Sequence, residues 1–260
     1  MNTIDLVELG RMFSGNCDNP TPLFHDDQHA VYWLGVPEMT PFRCNTYLLV
    51  DGQEAIVIDP GCENAFDFVK MRVAQILPPE KVTALIICHQ DLDGTASMTG
   101  WLAVNPSVKI LTSIPANFIL PHDDKSDSAF VSMIENPVYT FESGRRLKFI
   151  ESPFLCFPWA FTTYDEASKF LFSGDIWAAI EMEWRLVVED FEKHESELNC
   201  FHRDHMASNI AARGFINRLR GIEINAILPR HSSIIPGKHV QNALAYLNNL
   251  RCGLDLIYPE

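Results

Sequence analysis

Side chains that bind metals stand at the C-terminal ends of three apolar runs: His89, Asp91 and Asp93 after TALIIC (83–88), Asp175 after KFLFSG (169–174), and His231 after NAILPR (225–230). Imidazole and carboxylate are donor types suited to iron, zinc and manganese. Alternation along an extended segment sends residues 89, 91 and 93 to one side. Three donors then converge on one ion at roughly 2 Å each. Each group also has a plainer role. An Asp-rich loop makes turns, Asp175 before Ile-Trp reads equally as a helix cap, and His231 as a surface histidine. The shared placement is the stronger signal, because loops at strand ends build sites on a rigid scaffold.

Such donors need strands to hold them and helices to cover the strands. VYWLGV (31–36), NTYLLV (45–50) and EAIVID (54–59), the last two separated by a DGQ turn signal, predict an antiparallel meander. A helix follows over 64–77, with Phe66, Val69, Val73 and Ile76 on one face. TALIIC with a helix at 95–104, and KILTS (109–113) with ANFIL (116–120), make two strand–helix units. A second β block comprises VYTF (138–141), LKFIES (147–152), FTTY (161–164) and KFLFSGD (169–175). An acidic helical stretch (185–199), a helix near 204–220, the strand INAILP (224–229) and a last helix (238–250) complete the chain. Each half runs from strands to helices, which predicts an α+β protein: a four-layer αββα sandwich in a single domain of 1–260.

Composition narrows the function. With 47% hydrophobic and 21% charged residues the chain reads as an ordinary globular protein. A net charge of −14 argues against nucleic acid as a partner. Two basic runs, Arg145, Arg146 and Lys148, and Arg213, Arg218 and Arg220, are expected to be solvated faces. The N-terminus MNTIDLVELGRMF has acidic residues where a secretory signal is basic, and no run of 18 apolar residues occurs, so a cytoplasmic protein without a membrane segment is expected. Seven cysteines (17, 44, 62, 88, 156, 200, 252) lack CxxC spacing and read as buried thiols of a reducing compartment.

Several segments, in order, resemble the metallo-β-lactamase superfamily, and most closely its di-iron branch of flavodiiron and oxygen-binding di-iron proteins. NTYLLVDGQEAIVIDPG (45–61) looks like the family's opening hairpin, and HQDLDG (89–94) occupies the place of HxExDH. SPFLCFPWAFTTYDEASKFLFSGD (152–175) is similar to the stretch supplying a histidine and then a bridging aspartate. ILPRHSSII (227–235) matches the strand and loop bearing the last histidine. The resemblance covers nearly the whole chain and implies the metallo-β-lactamase fold. It places His89, Asp91 and Asp175 at a first metal, and Asp93, Asp175 and His231 at a second, with Asp175 bridging.

Three positions depart from the pattern. Gly94 stands where the family has a histidine of metal two, Cys156 where it has a histidine of metal one, and Asp91 replaces glutamate. Cys156 is a ligand if a metal holds it as thiolate, and otherwise a core thiol. Gly94 has no ligating atom, so metal two should bind more weakly than metal one. His202 and His205, read as the start of the 204–220 helix, are candidate replacements, with His25 and His29 behind them.

The resemblance implies non-haem iron, one or two ions, with zinc or manganese as alternatives and no flavin in this chain. Its first functional reading is a protein that binds or reacts with dioxygen, drawing electrons, where it needs them, from an external donor. A metal-dependent phosphodiester or thioester hydrolase is the second, and a non-enzymatic sensor or interaction protein with a degenerate site the third. A small-molecule ligand in place of dioxygen and a homodimer stay open.

Overall fold

The computed structural model describes residues 4–13, 19–35, 41–89, 96–113 and 130–258. They divide into two compact units. The first takes the described residues of 16–39 and 44–148, the second those of 5–15, 40–43 and 149–258. Asp91, Asp93, Gly94 and the predicted 116–120 helix lie outside the described residues.

The first helix, α1 (Leu6–Met12), belongs to the second unit. The first unit opens with β1 (Thr21–His25), β2 (His29–Trp33), β3 (Tyr47–Asp51) and β4 (Glu54–Ile58). They pair antiparallel in sequence order; the meander of β2, β3 and β4 is the one the alternating runs predict, and β1 adds an edge strand that they do not. Gly52, at φ +57°, makes the two-residue turn from β3 to β4, where a side chain would be strained. Three further strands, β5 (Val82–Ile86), β6 (Lys109–Thr112) and β7 (Phe130–Ser132), extend the sheet in parallel to seven strands. The continuous apolar runs of β4 and β5 fit parallel strands buried on both faces.

Two helices cover an apolar cluster of this unit: α2 (Phe66–Ala74), led in by a 3-10 turn, and α3 (Met98–Val104). The predicted face of α2 is observed. Val69 and Val73 are buried, and Phe66 and Ile76 pack against the same cluster. Gly100 on α3 lets that helix approach Phe66, whose ring would lie 2.7 Å from an added Cβ. Trp101 then meets Phe66 edge to face at 5.7 Å.

A six-stranded sheet in the order β13-β12-β11-β10-β9-β8 is built from β8 (Val138–Thr140), β9 (Arg146–Glu151), β10 (Phe161–Asp165), β11 (Phe170–Gly174), β12 (Ala226–Pro229) and β13 (Ile235–Pro236). Between β11 and β12 come α4 (Phe191–His205) and α5 (Asn209–Arg218), and α6 (Gly237–Asn249) and α7 (Leu254–Ile257) close the chain. Leu171, Ile227, Trp177, Leu198, Phe215 and Leu247 form the heart of the apolar cluster in this unit.

Some boundaries differ from the sequence expectation for local reasons. The acidic stretch becomes helical only at residue 191, because Asp190 accepts from the N–H groups of Glu192 and Lys193 and caps the helix. That helix then runs through FHRDH to His205. The next starts after Ser208, whose hydroxyl accepts from Ala211 N. His202 and His205 thus sit in the last turn of α4, not at the start of α5. Pro22 disguises β1, which its edge position tolerates.

Arg145 departs from its expected solvated role. Its Nη2 lies 2.9 Å from Asp26 Oδ2 and its Nη1 3.5 Å from Asp51, while Asp51 also meets His29 Nδ1 at 2.9 Å.

Candidate metal centre

In the second unit, Asp175 and His231 follow the C-terminal ends of β11 and β12, which lie parallel and adjacent. The ladder continues past the strands, with Arg230 N donating to Gly174 O at 2.9 Å. The two donors are therefore anchored one residue beyond a shared peptide contact. The turn after Asp175 is tied at several points. Ile176 N donates to Ser173 O, Ser173 Oγ to Ile176 O at 2.7 Å, Ala178 N to Asp175 O, and Ala179 N to His231 O at 2.7 Å. Trp177 holds φ +63°, a conformation uncommon outside glycine. Its Nε1 donates to Ala243 O at 3.0 Å.

His231 is buried and oriented. Nδ1 lies 2.9 Å from the Arg43 carbonyl, which accepts from an N–H at that position, and Phe42 stacks on the ring with centroids 3.9 Å apart. The tautomer with Nδ1–H leaves the Nε2 lone pair for a metal, the usual arrangement of a ligating histidine. Nε2 lies 3.8 Å from Asp175 Oδ1. That is too long for a hydrogen bond and within the span of two donors on one ion at roughly 2 Å each. The buried Arg230 places Nη1 3.9 Å from the same Asp175 oxygen.

In the first unit, His89 is buried just beyond β5, with Nδ1 2.9 Å from Cys88 Sγ. Asp59, at the end of β4, accepts from Cys88 N at 3.2 Å. Ile87 is held to β6 through its N–H and its carbonyl, the latter by Thr112 Oγ1. His89 thus emerges from a fixed backbone, with Nδ1 engaged by Cys88.

Cys156 sits half-buried in a tight turn at φ +74°, with Phe154 at φ +65°, and packs against the second unit's apolar cluster. The turn is tied to the end of α4 by Ala207 N donating to Phe154 O.

The proposed replacement histidines are committed elsewhere. His202 is fully buried, accepts from Trp177 N at 2.9 Å and donates Nδ1–H to Leu198 O at 2.8 Å. Burial lowers its pKa to about 4, against the opposing pull of the Leu198 carbonyl, so it is a neutral structural imidazole. His205 is exposed, stacked on Phe201 and bonded to that residue's carbonyl. His29 is the buried partner of Asp51, and His25 is exposed at the end of β1. Sequence reasoning missed Arg43, Phe42 and Arg230. The PRH tripeptide contained a signal for the last, but the Arg43 carbonyl acts through backbone and leaves no signature.

Solved structures define the class first. The flavodiiron protein from Giardia intestinalis is 22% identical with a TM-score of 0.74, covering 84% of this chain and 56% of that one, a likeness of fold alone. The chemotaxis sensor ODP of T. denticola in its apo state is 31% identical with a TM-score of 0.82, covering 92% of this chain and 97% of the sensor. The ODP structure described as the peroxy diiron species gives 31% and 0.81, covering 92% and 98%. This is the metallo-β-lactamase fold in its di-iron branch, α+β with two sheets and their helices, as the sequence implies. Residues 42–232 match the family described as "ODP family beta lactamase", and the chain belongs to that family. Flavo-diiron protein FprA2 of Clostridium acetobutylicum is 25% identical over 132 residues, 50% of this chain and 33% of that protein. The chain spans well under two thirds of the length of the curated relatives it matches.

Proposed function

We propose that residues 1–260 form one functional domain, a cytoplasmic non-haem iron protein that binds dioxygen at a histidine–carboxylate site and acts as a sensor. The observation that carries this reading is the His231–Asp175 pair, with Nδ1 turned to the Arg43 carbonyl and Nε2 3.8 Å from Asp175 Oδ1. The likeness to the chemotaxis sensor ODP over nearly its full length supports the choice of ligand.

Iron held here would supply a redox-active centre able to react with dioxygen. The chain's own residues set the terms of that binding. Arg43 and Phe42 fix the plane and tautomer of His231. The Cys88 contact engages His89 Nδ1, and Nε2 would be the donor to the metal. Asp175 would supply a carboxylate to the metal, and Asp91, Asp93 and Cys156 would be its further donors.

One ion is held more firmly than a second. Gly94 offers no donor, and Asp175 already has the Arg230 guanidinium 3.9 Å away. A second cation drawn to that carboxylate would be repelled by the guanidinium charge.

Metal analysis of protein purified anaerobically, followed by aerobic spectroscopy, tests the reading. We expect iron in the purified protein and an absorption band that appears only on exposure to oxygen. His89→Ala should lower metal content sharply, and metal content unchanged in that variant would refute the ligand assignment.

A further inference from the structure

A second donor set lies within the second unit and shares no residue with the centre described above. Glu181, in the loop after Asp175, and His194 and Glu197, on the first turns of α4, bring one ligand atom each within 4.8 Å of one another. His194 Nδ1 is 3.3 Å from Glu181 Oε1 and 3.3 Å from Glu197 Oε2. These distances are long for N–H···O bonds, whose usual length is about 2.9–3.0 Å. They match the separation of about 3.4 Å expected between two donors of a tetrahedral ion with bonds near 2.1 Å.

The proton count points the same way. The Ser233 hydroxyl lies within hydrogen-bond reach of both Glu181 Oε1, at 2.7 Å, and the Arg185 carbonyl, yet it has one proton. His194 Nδ1 likewise has at most one proton for two carboxylates, while its Nε2 faces Ser232 Oγ at 3.3 Å. Four acceptor contacts are therefore served by two protons at most.

Charge is unbalanced as well. Glu181 is 4% exposed, and among the described residues no lysine or arginine pairs with it or with Glu197. The basic residues nearby are engaged by other carboxylates, Lys193 by Glu183 and Arg185 by Glu189. Buried charge of one sign calls for a partner of the other. A cavity of about 160 Å³ opens beside the three donors.

We propose that Glu181, His194 and Glu197 form a divalent-cation site of the tetrahedral zinc class, with water from the cavity in the fourth position. Ser232 accepts from His194 Nε2–H and so presents Nδ1 to the ion, as outer partners of ligating histidines do. The ion would clamp α4 to the loop after Asp175, and Ser232 and Ser233 tie the loop after His231 to two of its ligands by hydrogen bonds.

The test is a zinc soak of crystals of the full chain, read by anomalous diffraction at the zinc edge. A peak bonded to Glu181, His194 and Glu197 is expected, and its absence overturns the proposal, even if zinc appears at His231. Equilibrium dialysis gives the solution counterpart. Glu197→Gln, a nearly isosteric change at a partly exposed side chain, should remove one zinc equivalent or weaken it at least tenfold, while zinc bound at other sites persists. Unchanged zinc binding in a folded Glu197→Gln protein overturns the proposal. His194→Asn should remove the same zinc equivalent; should that variant fail to fold, Glu197→Gln carries the test alone.

Discussion

Two buried histidine–carboxylate clusters, one in each unit, differ by a guanidinium. In the first, His29 and Asp51 form a pair closed by Arg145, which reaches on to Asp26. Burial alone would raise the Asp26 carboxyl, but the N–H groups of Gln28 and His29 and the Arg145 charge outweigh it and hold the pKa below the ordinary value. In the second, Glu181, His194 and Glu197 have no such cation among the described residues. The same residue types thus make a finished strut in one place and an open donor set in the other. Residue type alone does not separate these two clusters; the Arg145 guanidinium does.

The largest expected effect breaks the closed cluster. Arg145→Met should cost roughly 3 kcal/mol, because it leaves Asp26 and Asp51 without their cation. Urea unfolding measures this. The matching change in metal-free protein, Glu197→Gln, should move stability by less than about 1 kcal/mol, since it removes one of two like charges. Equal losses in the two variants would erase the distinction between the clusters.

His202 extends the comparison to a buried imidazole that hydrogen-bonds only to backbone. Its pKa of about 4 lies below the unfolded value near 6.5. Between those limits the unfolded chain binds a proton that the folded chain refuses, so stability falls as pH drops from about 6.5 to 4, by up to roughly 3 kcal/mol. Below pH 4 this group adds nothing further. His202→Gln, which can still accept from Trp177 N, should flatten that part of the stability profile. An identical slope in the variant would assign the acid sensitivity elsewhere.

A smaller effect than that of Arg145 or His202 concerns the cap of α4. Asp190→Ala should cost about 1 kcal/mol in thermal or urea unfolding. It also loosens the turn that carries His194, so zinc affinity should drop by less than in Glu197→Gln. A larger drop would place Asp190 among the ligands.

Much of the scaffold could be read from the chain because it rests on local patterns. The alternation in 45–50 and 54–59, the apolar run of 83–88 and the Phe66–Val69–Val73 face all became the elements they predict. The placement of His89, Asp175 and His231 at strand ends was legible for the same reason. His202 was not, because its partner is a backbone N–H twenty-five residues away. Asp190 was hidden as a cap inside an acidic run in which any carboxylate looks alike. Arg145 was misread because its partners, Asp26 and Asp51, are distant in sequence and meet it only once the chain is folded. The role of Glu181 was invisible for a related reason: its neighbours come from a helix and from a loop far along the chain.

The bond from Arg230 N to Gly174 O has one further consequence. A peptide-to-peptide contact is indifferent to side-chain identity, so the spacing between the anchors of Asp175 and His231 is inherited with the backbone. Side-chain changes elsewhere in the chain can therefore occur without moving this pair. The frame is held by backbone hydrogen bonding and not by the identity of the side chains it carries.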